Sequence, residues 1–175
     1  MSGACKMIID ETERLCIKEI EERDADAAAA LLTLVEQRNG KTFTRDMVLA
    51  YINVAYGFYG YGYWGLYEKA TDELIGIAGF REGSCPLEVG YCVRDDKRNM
   101  GYATEAVRSL VEFAEEDFLW VLEEELQGVK VTGEVLMTYE KKGRVLLYGR
   151  TESTNLPSIN VLKKNGFKEN EGFVR

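Results

Sequence analysis

Residues that could bind an anion and move a proton are concentrated in the segment Glu88–Ala106. A glutamate opens a short apolar stretch there, and the pattern Arg98-x-x-Gly101-x-Ala103 follows it. Where a loop opens a helix, N–H groups without intrahelical partners and the positive end of the helix dipole suit a pyrophosphate. Gly101 and Ala103 leave the backbone open to such an anion, and Arg98 adds a positive charge. The segment therefore predicts a phosphate-binding strand, loop and helix.

The absence of histidine limits the acid–base chemistry that the chain can perform. It excludes Ser-His-Asp and Cys-His nucleophile systems and removes the commonest general base. Proton transfer must therefore use a carboxylate, a tyrosine, a lysine, a cysteine or water. The four cysteines form no Cys-x-x-Cys pair, so neither a zinc site nor a disulfide is predicted. They are Cys5, Cys16, Cys85 and Cys92, the last predicted to be a small core residue.

Hydrophobic periodicity predicts the elements that must position this segment. A helix over Ala103–Phe118 has apolar residues spaced by three and four and follows the loop directly. Other helices are predicted at Ala27–Gln37, capped by Asp24 or Asp26, from Thr44 to Ala55, and between Pro157 and Gly166. Strands are predicted at Arg14–Ile20, Trp64–Glu68, Leu74–Phe80, Leu87–Val93, Val129–Tyr139, Arg144–Thr151 and Phe167–Val174. Strands that alternate with helices predict a mixed sheet with helices on both faces.

Length and composition are typical of a soluble globular domain. The chain has 175 residues, of which 46% are hydrophobic and 30% are charged. No apolar run approaches the roughly 20 residues of a membrane span, and residues 1–10 lack the layout of a signal peptide. The net charge of −8 argues against a nucleic-acid partner. We therefore expect one cytoplasmic domain that binds neither a membrane nor nucleic acid.

A second polar segment, Asn155–Phe167, follows later and by itself indicates only a capped helix with solvated lysines. Together, the two segments resemble the GNAT superfamily of N-acetyltransferases, and within it the RimJ/RimL-like branch. In that branch a strand beginning Glu-x-Gly-Tyr leads to Arg-x-x-Gly-x-Ala-Thr-Glu-Ala, and Asn-x-x-Ser-Ile-x-Val-Leu-x-Lys-x-Gly-Phe comes later. The resemblance covers about Leu15 to Arg175. It implies an α+β fold with a GNAT-like mixed, mostly antiparallel central sheet and helices on both faces.

The resemblance also implies a reaction, in which a primary amine attacks the thioester of acetyl-CoA directly and takes its acetyl group. The amine would belong to a protein or peptide N-terminus or to a small molecule, and no metal is implied. A non-catalytic CoA-binding or regulatory module is the alternative. In this family the region that here contains the aromatic residues between Tyr51 and Trp64 borders the acceptor site. Most of these rings are predicted to be packing residues.

The resemblance implies a set of contacts to acetyl-CoA. The pantetheine arm would pair with the backbone of Tyr91, Cys92 and Val93. The pyrophosphate would lie on the loop, whose residues are Arg98, Asn99, Met100, Gly101, Tyr102, Ala103 and Thr104. Asn155 would contact the cofactor, and Lys163 or Lys164 would approach the adenosine 3′-phosphate.

Two residues are expected to handle protons. Glu88 lies where many family members carry a catalytic carboxylate, and we expect it to be the general base, with an ion-paired glutamate as the alternative. Many members also carry a tyrosine that protonates the leaving thiolate, but Leu162 occupies that position here. Ser158 is the nearest substitute for this acid. Water is the alternative, because the pKa of a thiol is close to neutrality.

The C-terminal part departs from the family pattern, in which two strands follow the last helix. Here only one strand follows it, whereas residues 119–145 form an insertion before the fifth strand. We expect the inserted strand Val129–Tyr139 to take the place of the family's last strand, antiparallel to Arg144–Thr151. A truncated chain and a strand supplied by the partner in a homodimer are the alternatives. Residues 1–175 would then form a single acyltransferase domain.

Overall fold

The computed structural model describes residues 7–59, 61–81, 87–117 and 133–170. Within them lie four α-helices: α1 (Ala25–Glu36), α2 (Arg45–Val54), α3 (Tyr102–Asp117) and α4 (Leu156–Lys164). The strands are β1 (Ile8–Glu11), β2 (Leu15–Lys18), β3 (Tyr63–Glu68), β4 (Glu73–Phe80), β5 (Leu87–Val93), β6 (Glu134–Lys141), β7 (Arg144–Glu152) and β8 (Lys168–Asn170). Only β1 was not expected from the sequence.

The strands follow the order β1-β2-β3-β4-β5-β7-β6-β8. The pairs β1–β2, β2–β3, β3–β4, β6–β7 and β6–β8 are antiparallel, and β5–β7 is parallel. The mixed, mostly antiparallel sheet implied by the resemblance is therefore confirmed. The chain divides into two compact units, one of Met1–Gly79 with Tyr91–Ala106 and one of Phe80–Gly90 with Val107–Arg175. The two units are described separately below.

In the first unit, hydrogen bonding decides where the helices begin. Thr44 caps α2 as predicted, because its Oγ1 accepts a hydrogen bond from the Met47 N–H at 3.3 Å. Of the two acidic caps predicted for α1, Asp24 occupies the N-cap position, but its side chain makes no cap bond and instead accepts the Tyr67 hydroxyl at 3.0 Å. Asp26 lies inside the helix and pairs with Arg45.

The aromatic residues before β3 form part of the core of this unit. The Tyr63 N–H donates to the Tyr51 hydroxyl at 2.6 Å, and the Tyr56 hydroxyl donates to the Tyr63 carbonyl at 2.5 Å. The Tyr63 hydroxyl donates to Glu36, a buried carboxylate at the end of α1, at 2.8 Å. These three rings are packing residues with satisfied polar groups, as most of the aromatic run was predicted to be.

In the second unit, β6 lies between β7 and β8. Its residues Glu134–Lys141 pair antiparallel with β7, and Leu136, Met137 and Thr138 also pair antiparallel with β8. The predicted position of this strand is confirmed, although residues 129–132 lie outside the described residues. Because the strand comes from the same chain, the alternative in which a partner supplies it is wrong. About half of the insertion, residues 119–132, lies outside the described residues, so the single-domain assignment stays a prediction.

The turns around β7 and α4 follow local sequence rules. Lys142 and Gly143 both have positive φ, as a two-residue hairpin turn requires. The Asn155 side chain caps α4 by accepting the Ser158 N–H at 3.3 Å, and Gly166 ends the helix with a φ of 84°. The last strand, β8, ends at Asn170, and the rest of the predicted strand, residues 171–174, lies outside the described residues.

Among the described helices, none is long and apolar enough to span a membrane.

Candidate active site

The loop before α3 belongs to the first unit and contains two residues with left-handed φ angles. A short 3-10 turn over Asp95–Lys97 follows β5, and α3 then begins at Tyr102. Asn99 and Gly101 have φ angles of 60° and 85°, in the left-handed region. The first bond that closes α3 runs from the Glu105 N–H to the Gly101 carbonyl at 3.0 Å, so the earlier N–H groups belong to the helix terminus.

The structure adds two reasons for a glycine at position 101 to the access for an anion that the sequence predicted. A Cβ on Gly101 would lie 3.3 Å from Nη2 of Arg14, so the space beside this residue is bordered by a guanidinium. The positive φ adds a second requirement, because side chains other than glycine seldom adopt it. The absence of a side chain therefore serves the backbone conformation and the Arg14 contact.

The side chains of the loop differ in what they can offer a ligand. Arg98 is exposed and pairs with the exposed Asp95 at 2.9 Å, and Asn99 and Met100 are exposed as well. Tyr102 is buried, and its hydroxyl donates to Glu68 at 2.5 Å. Of the predicted loop residues, Tyr102 can therefore contribute only its backbone. Ala103 and Thr104 are half-buried in the first turn of α3.

Glu68, at the end of β3, holds both ends of this loop. It accepts the Tyr102 hydroxyl from the helix side and the Lys97 ammonium, at 3.0 and 2.9 Å, from the strand side. Thr71 donates a further bond at 2.9 Å. The bonds from Tyr102, Lys97 and Thr71 lower the pKa of Glu68 to about 2, so it is ionised at neutral pH.

Arg14, just before β2, holds the loop on a second side. Its Nη1 donates to the Met100 carbonyl at 2.7 Å, and its backbone N–H and Nε donate to Glu105 of α3, both at 2.8 Å. Thr12 also donates to Glu105, at 2.5 Å. Burial alone would raise the pKa of Glu105, but the bonds from Thr12 and Arg14 lower it. Sequence analysis missed Arg14, Glu68 and Glu105, because ion pairs between distant segments leave no local pattern.

The strand residues predicted to bind pantetheine lie at the end of β5, in the first unit. Tyr91 and Cys92 are half-buried, and Val93 is buried. On the β4 side the backbones approach closely, since a Cβ on Gly76 would lie 2.6 Å from the Cys92 carbonyl. Burial raises the pKa of the Cys92 thiol, which agrees with a core residue rather than a nucleophile.

Glu88, at the start of β5 in the second unit, is buried and ion-paired. Arg150 grips it through two bonds, from Nε at 3.0 Å and from Nη2 at 3.1 Å. Nη1 of Arg81 and the hydroxyl of Tyr148 each donate to its Oε2 at 3.2 Å. The guanidinium groups of Arg150 and Arg81 compensate the negative charge of this buried carboxylate, and these bonds occupy both of its oxygen atoms. The arrangement therefore favours the ion-paired alternative over the general base.

The pKa values of two partners of Glu88, Tyr148 and Arg150, are raised. Burial, and next the charge of Glu88, raise the pKa of Tyr148 to about 12. Burial alone would lower the pKa of Arg150, but the hydrogen bonds and charge of Glu88 raise it. Tyr148 is therefore a neutral donor and Arg150 a permanent cation across the physiological pH range.

Glu88 and the predicted acid Ser158 are not brought together. The β5–β7 ladder pairs Glu88 with Tyr148, so these side chains share one face, and Val89 and Gly149 lie towards the other. On that other face, a Cβ on Gly149 would lie 3.1 Å from the buried Leu162 of α4. Ser158 is one turn before Leu162 on the same side of α4. It thus faces the side of the ladder opposite to Glu88.

Asn155 and Lys164 lie at opposite ends of α4. Asn155 is exposed, and its Oδ1 is used in the helix cap. Lys163 and Lys164 are exposed in the last turn, where they complement the helix dipole.

Among the described residues, no group of three or more Cys, Asp or Glu side chains is arranged to hold a metal ion.

Three solved structures share this fold. An acetyltransferase (GNAT family) from Bacillus anthracis is 20% identical, with a TM-score of 0.62 over 95% of this chain and 86% of that one. A ribosomal-protein-S5-alanine acetyltransferase from Vibrio fischeri is 16% identical, with a TM-score of 0.59 over 97% and 85%. A RimL ribosomal L7/L12 alpha-N-protein acetyltransferase is 12% identical, with a TM-score of 0.57 over 94% and 82%. A comparison with curated proteins found no match.

The sequence itself matches a protein family. The family model described as an acetyltransferase (GNAT) domain aligns with residues 14–168, which is most of the chain. That range contains the left-handed loop before α3, the strand β5 that leads into it, and α4. The chain therefore belongs to the GNAT acetyltransferase family, whose members are acyl-CoA-dependent N-acetyltransferases.

Proposed function

We propose that this protein transfers the acetyl group of acetyl-CoA to a primary amine by direct attack of the amine on the thioester. The loop with left-handed Asn99 and Gly101, which follows β5 and opens α3, is the observation that carries the proposal. The N–H groups in the first turn of a helix have no intrahelical acceptor, so the start of α3 suits a pyrophosphate. The matching family model supports the same donor.

The donor would be held mainly by backbone groups. The pyrophosphate would accept bonds from N–H groups between Arg98 and Thr104, with the exposed Arg98 side chain as an added cation. The pantetheine arm would pair with the backbone of Tyr91, Cys92 and Val93. Because the cap uses Oδ1 of Asn155, the amide NH₂ group is the part of that side chain left to contact the cofactor. Lys164 would approach the adenosine 3′-phosphate.

The reaction would need few side chains. The neutral amine attacks the thioester carbon, and an N–H near Val93 stabilises the oxyanion that forms. The attacking nitrogen loses a proton to water, and the C–S bond breaks. The thiolate leaves without a dedicated acid because its pKa is close to neutrality. Glu88 would act as an anchor that holds Arg150 and Tyr148 in place through its hydrogen bonds. The general-base role predicted from the sequence is the competing assignment, and the two roles predict different properties for Glu88→Gln.

For the acceptor, we favour a protein or peptide N-terminus over a small-molecule amine. Two of the fold neighbours are described as acetyltransferases of ribosomal proteins. The predicted membership of the RimJ/RimL-like branch supports the same class of acceptor.

Calorimetry followed by an acceptor panel tests the proposal. Acetyl-CoA should bind to the purified chain, and acetyl-pantetheine, which lacks the pyrophosphate and adenosine, should bind far more weakly. Peptides with a free N-terminus should release CoA, whereas the same peptides with a blocked N-terminus should not. Absence of acetyl-CoA binding by the wild-type chain would overturn the proposal.

A CoA-binding module without catalysis is the second candidate. The buried Leu162 in place of the family's tyrosine and the clamped Glu88 favour it. It predicts tight acetyl-CoA binding without CoA release for any amine in the panel. Turnover with a single amine above the rate of uncatalysed hydrolysis would exclude it.

A further inference from the structure

We infer that Arg14 and Glu68 are positioning residues that hold the loop before α3 in its anion-binding shape and so control the affinity for acetyl-CoA. The inference rests on the proposed function. Both residues lie outside the segments that match the family motifs, and neither belongs to the loop. All the contacts involved lie within the first unit.

The residues of the loop are too exposed for their own packing to fix the backbone conformation. Arg98, Asn99, Met100 and Gly101 are all exposed, and two of them have left-handed backbone conformations. A non-glycine residue such as Asn99 seldom adopts this conformation unless its surroundings impose it. The constraint must therefore come from the groups that grip the ends of the loop.

The first grip comes from Arg14. Its guanidinium donates to the Met100 carbonyl, inside the loop, and to the Glu105 carboxylate, in the first turn of α3. The backbone N–H of Arg14 donates to the same carboxylate. One side chain thus ties the loop backbone to the helix that follows it, and a planar guanidinium is suited to such a two-sided contact.

The second grip comes from Glu68. Lys97 precedes the loop and Tyr102 follows it, and both donate to this one carboxylate. Glu68 and Arg14 both contact Tyr102, because the Arg14 guanidinium stacks over the Tyr102 ring at 4.2 Å from its centroid. Charge-assisted bonds of this kind are stronger than neutral ones. Together they fix the separation of the loop's ends and the direction of the N–H groups between them.

A positioning role predicts a selective defect, which two donors can reveal. In the full chain, Arg14→Gln and Glu68→Gln should each raise the Kd and KM for acetyl-CoA about tenfold, the effect of losing one or two charge-assisted bonds. The kcat at saturating acetyl-CoA should stay within about twofold. The kcat/KM for acetyl-pantetheine should also stay within about twofold, because this donor has no pyrophosphate for the loop to bind.

Three further variants separate positioning from a loss of folding. Arg45→Gln removes an exposed ion pair with Asp26 and should behave as the wild type. Tyr102→Phe keeps the ring under Arg14 but removes one donor to Glu68, so it should give a smaller rise in Kd than Glu68→Gln. Arg14→Lys keeps the charge without the planar fork and should restore only part of the affinity. Amide hydrogen exchange at residues 98–104 should be faster in both glutamine variants without ligand.

The binding and kinetic measurements distinguish failure of the inference from failure of the proposed function. Wild-type affinity for acetyl-CoA in Arg14→Gln and Glu68→Gln would overturn the inference, as would an equal loss for acetyl-CoA and acetyl-pantetheine. Absence of acetyl-CoA binding by the wild-type chain would instead overturn the proposed function, and the inference with it.

Discussion

At the scale of single residues, the contacts of Glu88 change the role that we assign to it. Its position in the sequence suggested a general base, but Arg150 and Arg81 come from segments that the sequence does not connect to it. A carboxylate that accepts hydrogen bonds from two guanidinium groups has its charge compensated and its oxygen atoms occupied. Its most direct effect is then on its neighbours, since Tyr148 and Arg150 depend on it for their hydrogen bonds.

The two roles of Glu88 predict different behaviour for Glu88→Gln. If Glu88 is an anchor, the free energy of unfolding should fall by about 3 kcal/mol, because half-buried Arg150 loses its buried counter-charge. The kcat should fall by less than about tenfold, and urea unfolding and steady-state kinetics measure the two effects. Glu134→Gln is the matched control, since Glu134 lies 4.0 Å from the same arginine. A loss of 100-fold or more in kcat with unchanged stability would identify a general base instead.

Ser158 is expected to be dispensable. It lies on the side of the β5–β7 ladder opposite to Glu88, and its N–H belongs to the cap of α4. A general acid is worth about 100-fold or more in rate. Ser158→Ala should therefore keep kcat within about threefold, as measured by CoA release at saturating donor and acceptor. A 100-fold loss would show that Ser158 protonates the thiolate.

Glu68 predicts a specific effect of acid on stability. Its pKa in the folded chain is about 2, below the ordinary value of 4.5. A group whose pKa is lowered by folding stabilises the protein above its unfolded pKa, and this contribution is lost as the pH falls towards the folded value. Between pH 4.5 and 2, the wild type should therefore lose more stability than Glu68→Gln. Urea unfolding at several pH values measures this difference, and parallel curves for the two proteins would contradict the assignment.

At the scale of elements, β6 is the feature that departs most from the family pattern. The sequence predicted its partner β7, because a short turn with Gly143 joins the two strands. The second partner, β8, brings the strand into the place where the family has its last strand. Buried side chains on β6, among them Leu136 and Met137, make it part of the core of the second unit.

Met137→Ala should test how much β6 contributes to the stability of the fold. Met137 is fully buried and lies opposite Gly149 and Glu169 in the two ladders. Removing its side chain should lower the free energy of unfolding by about 2–5 kcal/mol, as measured by urea denaturation. Glu140→Ala, at an exposed position of the same strand, should change it by less than about 0.5 kcal/mol. Equal stabilities of the two variants would mean that β6 adds little to the core.

At the scale of the whole molecule, the family prediction is confirmed, and it came from two short segments. Strand, loop and helix around Arg98-x-x-Gly101-x-Ala103 are local structures, which periodicity and turn residues encode directly. The observed bounds of β5 and α3 agree with their predicted bounds to within one residue. Sheet class and the capped helix α4 were predictable for the same reason.

What the sequence determined by itself was the order of elements, the turn at Gly101 and the family, because these depend on residues close together in the chain. Only the tertiary structure decided which charges meet. Arg14 and Glu105 are separated by 91 residues, and Glu88 and Arg150 by 62. A salt bridge has no spacing rule, since any acidic and basic pair can meet once the fold brings them together. The placement of Glu88 in an ion pair and the anchoring of the loop by Arg14 and Glu68 are therefore consequences of packing.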